Sequence, residues 1–281
     1  MTKKAVLTTG LLTVLIAISA FLFYNVEADG KLDKKNYVQS TTPTLFFHGY
    51  GSSANAERHM TNATKKAGVT KTVIRANVDR NGAVTLRGDI PKGAINPIVE
   101  VNYEDNRNPI DVGRYAKAVV SKLQEKYGFT KMNMVGHSLG NMSILYYLLE
   151  HAQDENLPQL QKQVNIANFV AGLEAMGLSS DVKVDKTTGQ PNQITQTFQR
   201  LLPLREVFPQ NQIDVLNIYG DYKNGSDGSV LNASSRSLKY LVADNAKSYQ
   251  EKKITGKLAQ HSQLHENQEV DKILIQFLWG K

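Results

Sequence analysis

The 281-residue sequence contains no cysteine, which excludes a disulfide framework, thiol catalysis and zinc or iron–sulfur centres held by cysteine. It has no glycine-rich loop of the kind that binds nucleotide phosphates, so no nucleotide cofactor is implied. Glycine and proline, with 20 and 8 residues, are too few for a collagen-like or low-complexity chain. Hydrophobic residues make up 41% of the chain and charged residues 21%. These are globular proportions, and they argue against a polytopic membrane protein.

Basic residues are in excess, because lysine and arginine outnumber aspartate and glutamate by 33 to 26. The resulting net charge of +7 suits anionic membrane surfaces, acidic polymers or nucleic acid. The basic residues are not interleaved with aromatic ones, so we expect no nucleic-acid partner. The lysine pairs at 65–66 and 252–253 are predicted to lie on solvated faces.

The N-terminus carries Lys3 and Lys4, followed by an uncharged run of 20 residues at 5–24. A helix of about 20 residues crosses a ~30 Å hydrocarbon core, and lysines ahead of it favour export of the chain beyond it. Small residues near 26–28 suit a signal peptidase, whereas the length of the run suits a retained anchor. We therefore predict that residues 1–28 are a signal peptide or an N-terminal membrane anchor and that residues 29–42 are a linker. The domain is then cell-surface, membrane-anchored or secreted, and the positive charge indicates affinity for an anionic envelope.

From Pro43 onward, short apolar runs alternate with amphipathic stretches. This pattern is typical of an α/β domain with a mostly parallel central sheet and helices on both faces. The Asn81–Gly82 pair predicts a hairpin turn. The predicted strands are residues 44–47, 71–78, 83–87, 98–103, 131–135, 165–170 and 215–219. The predicted helices are residues 54–67, 111–127 and 139–151, with a last helix that ends within 273–279.

The segment 172–212 is too long for an ordinary connection, so it is predicted to be a cap or lid inserted in the domain formed by residues 43–281. Two roles are open for its apolar patch: it covers a bound acyl group, or it forms a small satellite core. The patch consists of Phe198, Leu201, Leu202, Leu204, Val207 and Phe208.

A G-x-S-x-G pentapeptide, G-H-S-L-G at 136–140, lies between a predicted strand and a predicted helix. In that setting the chain reverses sharply at Ser138, and glycines are needed because side chains two residues away would clash. The serine oxygen then lies at the carboxyl end of the sheet, close to a helix N-terminus that favours developing negative charge. Ser138 is the predicted nucleophile, with a tight structural turn as the alternative.

With this motif the sequence resembles the α/β-hydrolase superfamily, in particular its lipase-like bacterial members. More closely, it is similar to an uncharacterised family of predicted bacterial cell-surface α/β hydrolases. The resemblance runs from about Thr44 to Trp279. It implies an α/β-hydrolase fold in which an oxyanion loop, a nucleophile, an acid and a histidine follow one another along the chain.

The resemblance places the oxyanion loop in the F-H-G-Y-G stretch at 47–51. The residue after H-G in this lipase-like pattern donates its backbone N–H, which points to Tyr50. The second donor is the residue after the nucleophile, Leu139. The alternative for Tyr50 is a core aromatic, while His48 is expected to support the loop backbone and His137 to be structural.

Two aspartates compete for the role of the acid after the predicted strand 215–219. Asp227 lies in a D-G-x-V stretch similar to the acid turn of lipases, and it is the predicted acid. Asp221 is the alternate, with a strand-end or solvent-binding role otherwise. An ionised carboxylate at this position would hold the histidine tautomer and stabilise the imidazolium.

Two histidines compete for the role of the base before the last helix. Lipase-like hydrolases often have an apolar residue three positions after this histidine, a small polar one at six and a β-branched one at nine. His261 matches all three positions and is the predicted base, whereas His265, the alternate, fails at the first. The H-E-x-x-H motif of zinc proteases is absent, so no metal is predicted at this pair.

These expectations describe a serine hydrolase that cleaves carboxylic esters through an acyl-enzyme intermediate at the cell envelope. Its partners would be a small-molecule or lipid ester and, through the N-terminal segment, a membrane. No cofactor, no nucleic acid and no obligate protein partner are implied. An acyltransferase or amidase with the same triad, and a non-catalytic surface-binding module, are the alternatives.

Overall fold

The computed structural model describes residues 31–281, so the predicted export segment at 1–28 lies outside the described residues. Within residues 31–281, no helix combines the length and the apolar character needed to cross a membrane. The fold is built on an eight-stranded sheet with strand order β3-β2-β4-β1-β5-β6-β7-β8. All strands are parallel except β3, which pairs antiparallel with β2 through the predicted hairpin. The strands are β1 (Thr44–Phe47), β2 (Val73–Val78), β3 (Val84–Arg87), β4 (Ile98–Tyr103), β5 (Lys131–His137), β6 (Gln159–Ile166), β7 (Asp214–Asp221) and β8 (Ser248–Thr255).

Helices cover both faces of this sheet. They are α1 (Arg58–Lys66), α2 (Val112–Tyr127), α3 (Leu139–His151), α4 (Gln196–Leu201), α5 (Leu204–Val207), α6 (Asn232–Arg236), α7 (Leu238–Val242) and α8 (Gln268–Trp279). Successive strand residues point to opposite faces, so Leu45 and Phe47 pack under α2 and α3 while Phe46 packs under α1 and α8. The result is the predicted α/β architecture with one apolar core on each side of the sheet.

Two strands differ from the sequence prediction. Strand β6 begins at Gln159 rather than at residue 165, because its first half is polar and carries no apolar run. Strand β8 was not predicted, since an edge strand with one buried residue, Ile254, lacks the alternation that marks a strand. The lysines at 252–253 lie exposed on this edge, where charge discourages pairing with another chain.

The connection between β6 and β7 contains the segment predicted as a cap. Helix α5 lies near the end of this segment and packs against α3 and α7. The apolar patch is mostly enclosed: Phe198, Leu201, Leu204 and Phe208 are buried in the core under α2 and α3. The patch is therefore part of the main core and is not available to cover an acyl group. The role of 172–212 as a cap stays a prediction.

Candidate active site

Ser138 lies on a sharp turn between the end of β5 and the start of α3. Its backbone has φ 52° and ψ −118°, a conformation that costs a non-glycine residue about 1–3 kcal/mol and persists only where neighbours enforce it. The neighbours here are close backbone segments. A Cβ at Gly140 would collide with the Phe47 carbonyl oxygen, and one at Gly136 would lie 2.7 Å from the Asn141 nitrogen. Glycine at both motif positions is thus required by packing.

The structure brings Ser138, His261 and Asp227 into one hydrogen-bonded row, which we call the Ser138 row. The Ser138 Oγ is 2.9 Å from His261 Nε2, and His261 Nδ1 is 2.8 Å from Asp227 Oδ2. Because a carboxylate can only accept, Nδ1 carries the proton and donates it to Asp227. Nε2 then presents its lone pair to the serine hydroxyl, which donates.

Asp227 is held by backbone groups of its own turn. Its side chain is 2% exposed, and its Oδ1 accepts the N–H groups of Ser229 at 2.9 Å and Val230 at 2.7 Å. The Asp227 carbonyl oxygen accepts the His261 N–H at 2.8 Å. The acid turn therefore fixes both the carboxylate and the backbone of the histidine. The carboxylate thus accepts hydrogen bonds from two backbone N–H groups and from His261.

The two alternates lie elsewhere. Asp221 ends β7, where its carboxylate accepts the Gly225 N–H at 3.2 Å and lies 3.5 Å from Lys253 Nζ. The Nδ1 of His265 is 3.2 Å from Glu266 Oε1. Among residues 31–281, neither side chain is hydrogen-bonded to a member of the Ser138 row. Asp221 thus closes its own turn, and His265 pairs with its sequence neighbour.

The predicted oxyanion loop lies directly against the serine. A Cβ at Gly49 would be 3.2 Å from Ser138 Cβ, so only glycine allows this approach without displacement. The N–H groups of Tyr50 and Leu139, the predicted donors, have no hydrogen-bond partner among the described residues. The Tyr50 side chain is 60% exposed, so it is not a core aromatic.

His48 fixes the backbone of this loop from within the protein. Its Nε2 accepts the Tyr103 N–H at 3.1 Å, so its Nδ1 carries the proton and donates to the Gly49 carbonyl oxygen at 2.9 Å. Burial lowers the pKa of His48, which keeps the ring neutral and able to make both bonds.

His137 has a role that the sequence did not reveal. Its Nε2 donates to the His261 carbonyl oxygen at 3.0 Å, and its ring centroid lies 5.0 Å from that of His261 and 4.7 Å from that of His265. Burial and then the nearby His261 and His265 hold the pKa of His137 well below its ordinary value. The ring is therefore neutral, with one N–H committed to the backbone of the predicted base. In the sequence, the position of His137 next to Ser138 in the pentapeptide was the signal available for this role, and it does not indicate which residue the ring contacts.

Glu57 is a second buried group that the sequence did not single out. It is fully buried after the oxyanion loop, and both of its carboxylate oxygens lack a hydrogen-bond partner among the described residues. Burial, with the nearby carboxylates of Glu100 and Glu266, raises the pKa of Glu57 to about 8. Glu57 therefore carries its proton at neutral pH. Within residues 31–281, no set of three or more histidine and acidic side chains is arranged to hold a metal ion.

Solved structures resemble this chain over most of its length. The product of the gene lin2722 from Listeria innocua is 27% identical, with a TM-score of 0.78, and the match covers 85% of this chain and 94% of that one. A predicted cell surface hydrolase from Lactobacillus plantarum is 20% identical, with a TM-score of 0.67, covering 84% and 89% of the two chains. A bromoperoxidase from Bacillus anthracis is 14% identical, with a TM-score of 0.50, covering 86% and 94%. The last two likenesses show the fold alone.

A search of curated proteins found no match. The model of one protein family matches residues 31–281, which is the whole of the described chain. That family match agrees with the parallel sheet and with the resemblance carried by the pentapeptide. The chain therefore belongs to the family of alpha/beta hydrolases of unknown function (DUF915).

Proposed function

We propose that this hydrolase is a serine esterase that cleaves carboxylic esters through an acyl-enzyme intermediate. The observation that carries the proposal is the Ser138 row, in which a serine hydroxyl, an imidazole and a carboxylate are joined by hydrogen bonds of 2.9 and 2.8 Å. In water a serine hydroxyl is a weak nucleophile, and an adjacent base is what activates it. Family membership supports hydrolysis, and the row supports the serine mechanism.

The reaction begins when Ser138 Oγ attacks the acyl carbonyl carbon while His261 Nε2 takes the hydroxyl proton. The carbonyl oxygen becomes an oxyanion, and the N–H groups of Tyr50 and Leu139 are the donors proposed to stabilise it. Collapse of this intermediate breaks the ester bond, and His261 gives its proton to the leaving alcohol. The acyl group remains bound to Ser138 as an ester.

Water completes the cycle by attacking the acyl-enzyme. His261 takes a proton from that water, the second oxyanion forms in the same place, and the acid leaves as Ser138 recovers its proton. Throughout, Asp227 holds the imidazole by Nδ1 and stabilises the imidazolium without taking the proton itself.

Exposed apolar side chains support a substrate with an apolar part. Of the seven large apolar side chains that are exposed in residues 31–281, six lie in loops after the carboxyl ends of strands, the edge that carries Ser138. They are Tyr50, Ile110, Met176, Ile194, Tyr222 and Leu258. Their common position at this edge supports a binding surface there that accepts apolar groups. We infer that esters with apolar acyl or alcohol groups are preferred.

The uncharged run at 5–24 supports an enzyme exported to the cell envelope, anchored or secreted, as the sequence predicts. Its substrate would then be an ester met outside the cytoplasm.

The test is Ser138→Ala in purified full-length protein, assayed with nitrophenyl esters of increasing acyl length. We expect a loss of up to about 10⁶-fold in kcat, because the members of such a row act as a unit. Ser262→Ala, a change at an exposed serine beside His261, is the matched control and should retain activity. Undiminished turnover by Ser138→Ala would falsify the assignment.

Two further measurements separate the alternatives. A fluorophosphonate probe should label Ser138 in the folded protein, and failure to label would favour a non-catalytic binding module. Product analysis with added alcohol or amine would reveal acyl transfer if the ester or amide of the added acceptor exceeded the free acid.

A further inference from the structure

The amino-terminal edge of the sheet, opposite Ser138, carries a dense group of lysines that we call the basic edge. Ten lysines lie near the ends of the connections that lead into β1, β2, β4 and β5, on the first residue of β5 and at residue 281. They are Lys31, Lys34, Lys35, Lys65, Lys66, Lys71, Lys92, Lys126, Lys131 and Lys281. The same stretches contain three acidic side chains, Asp33, Asp89 and Glu125. Much of the net charge of +7 is thus concentrated at one end of the molecule.

Most of this charge is not neutralised within the protein. Nine of the ten lysines are exposed, and Lys65 is half-buried. Lys126 pairs with Asp89 at 3.0 Å. Apart from Lys65, Lys126 and Lys35, which lies close to Asp33, none of the ten forms an ion pair with a carboxylate among residues 31–281. A surface of this kind attracts polyanions, since the like charges raise the local potential together.

The start of the described chain is fixed on the same edge. The Asp33 N–H donates to the Gly68 carbonyl oxygen at 2.8 Å, and the Val38 N–H donates to the Trp279 carbonyl oxygen at 2.8 Å. The uncharged run ends at Tyr24, and only residues 25–30 separate it from Lys31. Even a fully extended connection holds Lys31 within about 25 Å of Tyr24. A membrane that receives residues 5–24 therefore lies within reach of the basic edge.

We propose that the basic edge docks on the anionic phospholipid headgroups of the membrane that anchors the chain. Each lysine near an anionic bilayer strengthens binding about fivefold, and the effect fades within a Debye length of about 8–10 Å. The connection of residues 25–30 is short and allows the lysines to enter that range. A surface cavity of about 910 Å³, lined by Lys92, Lys126 and Lys131 beside Tyr127 and Phe129, offers a place for a phosphate headgroup.

Docking in this way fixes where the reactive serine faces. Strand β5 runs from Lys131 on the basic edge to His137, which adjoins Ser138, and its seven residues span about 20 Å. Ser138 therefore points away from the bilayer. If the proposed esterase function holds, the substrate approaches from the aqueous side and is not a lipid of the same membrane.

The test exploits the absence of cysteine, which lets a single introduced thiol be labelled cleanly. Thr130→Cys places a fluorophore on the basic edge, and Thr255→Cys places one at the carboxyl end of β8; both threonines are exposed. The full-length protein is incorporated into vesicles of phosphatidylglycerol and phosphatidylcholine, or of phosphatidylcholine alone. A lipid with a spin-labelled headgroup serves as a contact-range quencher.

We expect strong quenching at residue 130 in anionic vesicles, weak quenching at 255, and loss of the difference in 0.5 M salt, an ionic strength that shortens the Debye length to roughly 4 Å. Exchanging Lys34, Lys35 and Lys92 for Gln should lower the docking equilibrium constant by about a hundredfold. The matched control exchanges Lys223, Lys253 and Lys257 for Gln, removes the same charge from the opposite edge and should leave quenching intact.

Equal quenching at both positions, or quenching that is the same in neutral and anionic vesicles, would overturn the proposal. So would quenching that soluble polyphosphate abolishes while the membrane charge has no influence, which would assign the basic edge to a polyanionic polymer. Hydrolysis of a soluble nitrophenyl ester is measured in the same vesicles. Lost hydrolysis with intact quenching contradicts the esterase function alone, and the reverse result contradicts docking alone.

Discussion

Two groups of polar side chains differ in how the protein stabilises them. In the Ser138 row, donors and acceptors match from the serine hydroxyl to the buried carboxylate, which accepts two N–H groups and His261. The second group, which we call the buried layer, consists of Glu57, His137 and His265. There burial is the first cause that shifts each pKa, and the carboxyl group of Glu57 has no hydrogen-bond partner within residues 31–281.

The contrast separates side chains that are proposed to react from side chains that support the structure around them. A perturbed pKa often marks a reactive group, but burial alone also produces one. All three members of the buried layer lie off the path from hydroxyl to carboxylate. We therefore expect the row to govern turnover, Glu57 to govern stability, and His137 to act on turnover only through the position of His261.

The largest effect should separate the two candidate bases. His261→Ala removes the group that takes the serine proton, so kcat should fall by up to about 10⁶-fold. His265→Ala leaves that proton path intact and should reduce kcat less than tenfold. Both are measured with the same nitrophenyl ester, and circular dichroism checks that each variant is folded. A larger loss of kcat in His265→Ala than in His261→Ala would contradict the assignment of His261 as the base.

Next in size is the separation of the two acids. Asp227→Asn keeps the shape of the side chain but removes the charge that fixes the imidazole tautomer, and a loss of about 10⁴-fold in kcat is expected. Asp221→Asn alters only the turn after β7 and the contact with Lys253 and should remain within a few-fold of wild type. A pH–rate profile checks the cause, because the Asn variant should regain part of its rate at high pH. Equal losses in the two variants would remove the distinction.

Sequence spacing predicted the residues of the Ser138 row because the nucleophile, the acid and the histidine follow one another in a fixed order along the chain in this fold. The pentapeptide located Ser138 through the crowding that requires Gly136 and Gly140. The D-G-x-V turn and the register after the histidine selected Asp227 and His261 over their neighbours, and the structure places these two beside Ser138. Their catalytic roles stay predictions. The apolar strands of the sheet were found for a similar reason, since buried strands carry continuous apolar runs.

The buried layer and the sheet edge could not be found in that way. The raised pKa of Glu57 depends on its burial and on the charges of Glu100 and Glu266, which are distant in sequence, and no local pattern indicates a buried carboxyl group without a partner. The partner of His137 is a carbonyl oxygen 124 positions away. Strand β8 is polar because only one of its residues is fully buried. Such features arise from tertiary contacts, so a single sequence does not encode them locally.

Glu57→Gln tests the stability side of the contrast. The raised pKa of about 8 means that the folded protein holds this proton between pH 4.5 and 8 while the unfolded chain releases it. Stability should therefore fall as pH rises through this window, by at most about 5 kcal/mol. The Gln variant cannot ionise, so it should unfold later than wild type in urea at pH 9 and equally at pH 4. Glu269→Gln, at an exposed site, is the control. A wild-type stability that stays flat from pH 5 to 9 would contradict the expectation.

The smallest effect should come from His137, whose side chain makes one hydrogen bond within residues 31–281, to the His261 carbonyl oxygen. His137→Leu removes the donor, and displacement of the imidazole should lower kcat by about tenfold to a hundredfold with little change in KM. His137→Gln offers an amide N–H close to the former Nε2 position and should restore most of kcat. Thermal unfolding of both variants is measured beside the kinetics. If the His137→Gln and His137→Leu variants lose the same activity and the same stability, His137 is a packing residue. If only His137→Leu lowers kcat, His137 influences turnover through its hydrogen bond to the His261 carbonyl oxygen.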